Sequence, residues 1–220
     1  MSEVVLFGTG DFARIAYVYL REDSPHDVVA FTVDERYIDE PELLGRPVIP
    51  FEQLEKTHSP SQYPMFVAIG FSGVNRARAE TYERCKAKGY ALLTYVSSRA
   101  TCVGDHELGD NCFVFEENVI QPFVKIGNNV IMWSGNHIGH DARIGDHCFI
   151  ASHAVISGNV TIGHSTFVGV NATFRDGVVV APQCVIGAGA LIMKDTVEGG
   201  VYSVRGTEPS ERRSWELDNF

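Results

Sequence analysis

The 220-residue sequence contains no run of about 18 consecutive apolar residues, so no membrane-spanning helix is expected. Positive charge is scarce. Lys and Arg number 18 against 28 Asp and Glu, a net charge of −10. A nucleic-acid binder needs clustered cations to neutralise phosphate, which sets that class aside. The opening residues, MSEVVLFGTG, lack a basic segment followed by an apolar stretch and a small-residue cleavage site. The expectation is a cytoplasmic protein without a signal peptide. Five cysteines, an odd number without a CxxC pair, fit a reducing compartment better than a disulfide scaffold. What remains, 45% apolar and 21% charged, is enough for one large core or two domains of about 100 residues.

What the sequence does have is a period of six. From Leu108 through Val114, Ile120, Ile126, Met132 and Ile138 to Ile186 and Ile192, every sixth residue is apolar. With 45% apolar residues overall, fifteen successive hits have a chance on the order of 10⁻⁵. Four residues after each stands a small or β-branched side chain such as Cys112, Val124, Ala142 or Thr166, with Asn118 and Asn136 as exceptions. The residue directly after is often glycine, as at Gly109, Gly127, Gly139, Gly145, Gly163, Gly169 and Gly187. Neither a 3.6 nor a 3.5 period fits, whereas a six-residue unit is the mark of a parallel β-helix. Three units close a triangular coil of 18 residues, for about five coils, and the glycines are read as permitting the turns. A β-sandwich would not hold register over such a length. Cys112, Cys148 and Cys184 recur two coils apart, about 9–10 Å, beyond the roughly 7 Å reach of a disulfide. They read as core residues, not nucleophiles.

The N-terminal half alternates strand and helix: strands at Val4–Gly8, Val28–Val33, Met65–Gly70 and Leu92–Val96, and helices at Phe12–Leu20, Phe51–Lys56 and Asn75–Lys88. This predicts a small parallel sheet covered by helices, a Rossmann-like α/β domain over residues 1–97, followed by the β-helix over 98–220. Gly8-Thr9-Gly10-Asp11-Phe12-Ala13 joins a strand to a helix, whose N-terminus can hold phosphate. Asp34 closes the second strand, where an acid can bond a ribose hydroxyl. Half a dinucleotide fold suits one mononucleotide. Gly70, in Gly70-Phe71-Ser72-Gly73, is a further candidate at the pocket border.

Five histidines, His137, His140, His147, His153 and His164, lie within 28 residues. His140 stands two residues after Ile138, at a coil corner and pointing outward. Gly158 follows 18 residues later, one coil on, at a spacing of roughly 4.8 Å. A general base beside an N–H donor is the pairing that acyl transfer requires. Imidazole, ordinarily with a pKa of about 6.5, suits that base role near neutral pH. Asp141 is placed to orient the ring. Trp133 and His137, just before this corner, are candidates for the acceptor pocket.

The motif [LIV]-G-x-x-[STAV]-x, the run HIGHDARIGDHCFIASHAVISGNVTIG (137–163) and the segment LFGTGDFA together resemble one family. It is the sialic-acid O-acetyltransferase and nucleotide-aminosugar N-acetyltransferase family of hexapeptide-repeat acyltransferases. It includes the enzymes acetylating UDP-linked bacillosamine precursors and GDP-perosamine. The resemblance implies a left-handed β-helix, a homotrimer with active sites between subunits, and acetyl-CoA as acyl donor. It also implies an N-terminal half that holds a nucleotide-linked amino sugar. His140 and Asp141 match the family's catalytic pair, and Gly158 the glycine whose amide meets the thioester carbonyl. A second histidine, nine residues on in some relatives, is Phe149 here; His147 and His153 are its possible substitutes. Where relatives carry Gly and His, this chain has Asp11 and Phe12. The spacing His137–His140 is unlike the His-x4-His pair of solenoid carbonic anhydrases, so no metal is expected. His153 and Asn171, one coil apart, form a polar edge assigned to the cofactor, with Lys194 and Arg205 as contacts for CoA phosphates. Arg212 and Arg213 are further cations in the tail. The expected activity is N-acetylation of a UDP-, GDP- or dTDP-linked amino sugar. O-acetylation of sialic acid or another glycan precursor, and a non-catalytic sugar-nucleotide-binding scaffold, remain open.

Overall fold

In the computed structural model, which describes residues 2–216, the six-residue period becomes a parallel β-helix built of two-residue strands. Its three faces hold six, five and seven strands. Partners stand 18 residues apart, as in Val119↔His137↔Val155, Lys125↔Arg143↔Thr161 and Ile131↔Phe149↔Phe167. The first strand of the seven is Tyr95–Val96 and the last is Val201–Tyr202. The coil is thus longer than the five turns read from the strict repeat. Tyr95–Val96, expected to end a strand of the N-terminal sheet, pairs instead with Phe113–Val114. Only Leu92 bridges back to the sheet, at Met65.

The glycines after the apolar positions do not serve as expected. None of the seven has a positive φ. The left-handed residue comes two places later: Asn111, Asn129, Asp141, His147, Ser165, Asn171 and Gly189. The position recurs at every sixth residue between, including Glu117, Phe123, His153, Asn159 and Gln183. Asn and Asp tolerate this conformation best among residues with a Cβ. The glycines are needed for space. A Cβ on Gly145 would lie 2.7 Å from the His164 nitrogen one coil on, and one on Gly139 would lie 2.5 Å from the Gly158 nitrogen. Inside the coil, the apolar and small positions interleave into a core of Ile120, Val124, Ile138, Ala142, Ile156 and their equivalents, all fully buried. Each buried Ile or Val contributes roughly 1.5–3 kcal/mol.

The N-terminal half forms one sheet: β1 (Ser2–Phe7), β2 (His26–Val33), β3 (Glu42–Leu43), β4 (Arg46–Pro50) and β5 (Met65–Val67), in the order β3-β4-β2-β1-β5. All pairs are parallel except β3 with β4. Helices α1 (Asp11–Asp23) and α2 (Arg76–Ala87) accompany it. The stretch before Pro50, to which the sequence reading assigns no strand, holds the β3–β4 hairpin, turned at Leu44 and Gly45, both with positive φ. Pro47 and Pro50 hid β4, because proline cannot donate to a ladder and marks a segment as non-strand.

The two halves share a core. Outward residues of the seven-stranded face, Tyr95, Phe113, Ile131 and Phe149, pack with Phe12, Phe66 and Tyr90 of the N-terminal half. Phe12 and Phe113 meet edge to face at 5.7 Å between centroids, and Phe115 stacks on Trp133 at 4.6 Å. Arg78 of α2 is fully buried in this joint. It donates to the carbonyls of Gly70 (2.8 Å), Asn129 (3.3 Å), His147 (2.9 Å) and Cys148 (2.9 Å), and to Asn75 Oδ1 (3.2 Å). Its Nε has no partner, and burial lowers its pKa to about 10. Replacing Arg78 by Leu strands these acceptors. It should cost roughly 3 kcal/mol, read as a fall in Tm of roughly 6–12 °C for a chain of this size.

Candidate active site

His140 sits at the corner after the strand His137–Ile138, exposed to solvent. Its Nδ1 is 3.0 Å from Asp141 Oδ2. With the carboxylate accepting from Nδ1–H, Nε2 is left as the basic nitrogen. The left-handed φ of Asp141, 60°, turns its side chain back toward the neighbouring ring. The backbone N–H of His140 donates to Gln121 Oε1 at 2.9 Å, a contact that sequence reading missed.

One coil on, Gly158 lies against this ring. A Cβ there would stand 2.6 Å from His140 Nε2 and 2.8 Å from Cε1. The absence of a side chain is what admits the imidazole. Neighbouring amides at this edge are engaged: Asn159 N–H donates to His140 O (2.9 Å), and Gly177 N–H to Gly158 O (3.0 Å). The Gly158 N–H has no acceptor among the described residues. A basic nitrogen, its orienting carboxylate and an unspent donor thus meet at one edge, with His140 and Asp141 exposed and Gly158 buried.

Gly8, Thr9, Gly10, Asp34 and Gly70 all line one cavity of about 550 Å³ at the carboxyl ends of β1, β2 and β5. Gly8 has φ 129°, and a Cβ on it would stand 2.7 Å from Ala68 O, so only glycine lets the two strand ends approach. The N-terminus of α1, capped by Gly10 without a side-chain bond, opens into this cavity. The Asp11 side chain, 95% exposed, lies at the rim, 3.7 Å from Arg14. Two residues that sequence reading missed, Arg36 and Arg84, supply positive charge. Arg84 grips both oxygens of Asp34, Nη1 reaching Oδ2 at 3.2 Å, and its guanidinium lies 5.0 Å over the Phe51 ring. Arg84 stands in the last turn of α2 and faces this strand-end acid.

The other candidates separate. Trp133 and His137 do not share a pocket with His140. Trp133 belongs to an apolar cavity of about 400 Å³ lined by Phe71, Phe149, Phe167 and Val170, while His137 lies half-buried on an outward strand position. The two were linked only by their nearness in sequence; successive positions along a coil face different sides. Phe149 stacks on Phe167 at 5.6 Å and meets Phe71 edge to face at 5.0 Å. His153 lies over Gly135, where a Cβ would be 2.5 Å from Nδ1. Asn171, Lys194 and Arg205 are exposed. Cys112, Cys148 and Cys184 are fully buried, and burial pushes the first two thiols up to about 12. Among the described residues, no group of three or more His, Cys, Asp or Glu is placed to hold a metal ion. No helix is long and apolar enough to cross a membrane.

His147 belongs to the joint rather than to the corner. Its Nδ1 accepts from Asn129 Nδ2 (2.9 Å), and Asn129 Oδ1 accepts from Asn111 Nδ2 (2.8 Å). Asn111 Oδ1 in turn accepts from the Val67 N–H (2.8 Å). Burial, opposed by Asp146, lowers the His147 pKa. The native fold therefore prefers the neutral ring. Its contribution is complete above the ordinary value of about 6.5 and fades as pH falls through the lowered one. Thermal melts between about pH 5 and 8 should show Tm falling on acidification, and less steeply in His147→Asn.

No protein-family model and no curated protein sequence matches the chain. Solved structures do. The acetyltransferase domain of PglB from Neisseria gonorrhoeae, solved alone and with acetyl coenzyme A, is 25% identical. It superposes with a TM-score of 0.79 over 91% of this chain and 96% of that one. Perosamine N-acetyltransferase from Caulobacter crescentus, solved with CoA and GDP-perosamine as a histidine-to-asparagine variant, is 25% identical. Its TM-score is 0.82 over 94% of this chain and 98% of that one. WeeI from Acinetobacter baumannii, 18% identical, shares the fold with a TM-score of 0.65 over 86% and 96%. The chain thus shares a parallel β-helix joined to an α/β sheet along nearly the whole length of these neighbours, and is similar to acetyltransferases solved with acetyl-CoA or CoA.

Proposed function

We propose that the protein transfers an acetyl group from acetyl-CoA to the amine of a nucleotide-linked amino sugar, with His140 as general base. The observation that carries this is the contact of His140 Nε2 with Gly158, whose N–H is unspent. In this reading the thioester carbonyl rests on the Gly158 N–H, and the amine attacks from the side of Nε2. His140 takes the proton as the C–N bond forms and returns it to the departing thiolate. Asp141 holds the ring in the tautomer this needs and steadies the imidazolium. Such base catalysis is worth roughly 10²–10⁴-fold. Direct transfer is favoured over an acyl-cysteine, since Cys112, Cys148 and Cys184 are fully buried and burial raises the pKa of the first two.

The N-terminal half, residues 1–97, is read as Rossmann-like and as the holder of the sugar nucleotide. The diphosphate rests at the α1 N-terminus, with Arg36 and Arg84 beside it, and Asp34 reaches the ribose. The β-helix of residues 98–220, left-handed by resemblance, carries the chemistry. The cavity at Gly8 and Asp34 does not include His140, so within one chain the nucleotide cavity and the base are separate. A homotrimer, in which a neighbour's wall completes the cleft, answers that separation. CoA is read along the edge of His153 and Asn171 toward Lys194 and Arg205. Neighbouring structures hold CoA with GDP-perosamine, which favours an amino-sugar acceptor over a sialic acid.

His140→Ala should lower kcat by about 10²-fold or more while leaving the Kd for CoA nearly unchanged, measured by thiol release and calorimetry. Full residual turnover would end the assignment. Gly158→Ala should do comparable damage with little change in Tm. Its φ is not left-handed, and the methyl meets only side-chain atoms, those of His140 and Asp176.

A further inference from the structure

The edge that carries His140 and Gly158 continues one coil further, to Asp176. From the point where a Gly158 Cβ would stand, His140 Nε2 is 2.6 Å away and Asp176 Oδ1 is 3.2 Å away. The imidazole nitrogen not engaged by Asp141 and a carboxylate oxygen therefore flank the same glycine. Asp176 is exposed, and no Lys, Arg or His among the described residues forms an ion pair with it.

We propose that Asp176 recognises the acceptor as an amine: its carboxylate receives the ammonium form of the incoming sugar beside His140 Nε2 and so selects amino over hydroxyl acceptors. This rests on the reading of His140 as the base. The proton count fits a two-acceptor corner. An ammonium must lose two protons to become an amide nitrogen. The first passes to water as the cation held by Asp176 becomes a neutral amine. The second passes to His140 Nε2 as the N–C bond forms and the C–S bond breaks, and from there to the thiolate, giving CoA thiol. A hydroxyl acceptor has one proton to lose and no charge, so it gains nothing from Asp176. The corner is therefore arranged for a charged acceptor.

The test compares Asp176→Asn, Asp176→Glu and the unaltered protein with GDP-perosamine, a UDP-linked bacillosamine precursor and a hydroxyl analogue of each, following thiol release. The proposal expects Asp176→Asn to raise KM for the best amino acceptor roughly 10–100-fold. KM for acetyl-CoA and Tm should stay put, and preference for the amine over the hydroxyl analogue should shrink. Asp176→Glu should recover part of the loss. An unchanged acceptor KM in Asp176→Asn, with amine-dependent turnover intact and His140→Ala inactive, overturns this proposal and leaves the general reading standing. Absence of amine-dependent thiol release from the unaltered protein overturns that reading, and this proposal with it.

Discussion

Everything in the β-helix depends on one register: each residue stacks on the residue 18 positions later. Backbone amides fix it, since successive strands pair without a slip from Thr101 to Leu191 on one face. Parallel pairing at about 4.8 Å leaves little room at the corners. Glycine is placed where the next coil comes closest, and Asn111, Asn129, Asp141, Asn159 and Asn171 take five of the corners where the chain turns left-handed. The same register brings His140 against Gly158 and Gly158 against Asp176. Chemistry and architecture share a cause, because the spacing that closes the core also sets an imidazole beside an amide.

A second constraint joins the halves. A coil face normally carries polar residues outward, as Glu107, Lys125 and Arg143 do on the five-stranded face, where Lys125 pairs with Glu107 at 2.5 Å. The seven-stranded face carries Tyr95, Phe113, Ile131 and Phe149 instead, and the sheet covers it. Polar groups in this joint are met by the ladder from Asn111 to His147 and by Arg78. A buried guanidinium surrounded by carbonyls is costly to remove, because each acceptor it leaves has no water to replace it. The joint holds the cavity of Gly8 and Asp34 at a fixed place relative to the coil.

The β-helix was legible because its signal is repetitive: apolar Leu108 to Ile192 in one register declares a period without any tertiary knowledge. His140 and Gly158 were legible for the same reason, since neighbours in a solenoid follow from arithmetic. The role of the corner glycines was misread, because a sequence does not distinguish a glycine needed for φ from one needed for clearance. The start of the coil at Tyr95 was missed, as Tyr95–Val96 looks alike in a sheet or a coil. One feature was legible but unread. The outward residues at 95, 113, 131 and 149 are apolar at intervals of 18, which marks a covered face. Arg84 could be paired with Asp34 only once α2 was set beside β2, a tertiary fact that no local pattern encodes.

The account turns on the thioester lying on the Gly158 amide beside His140. A crystal structure of the His140→Ala variant with acetyl-CoA tests it most directly. The account predicts the carbonyl oxygen about 2.7–3.1 Å from the Gly158 nitrogen, with the space left by the imidazole open toward the acetyl carbon. A thioester seated on another edge of the coil, or a Gly158 N–H turned away from it, would contradict the account.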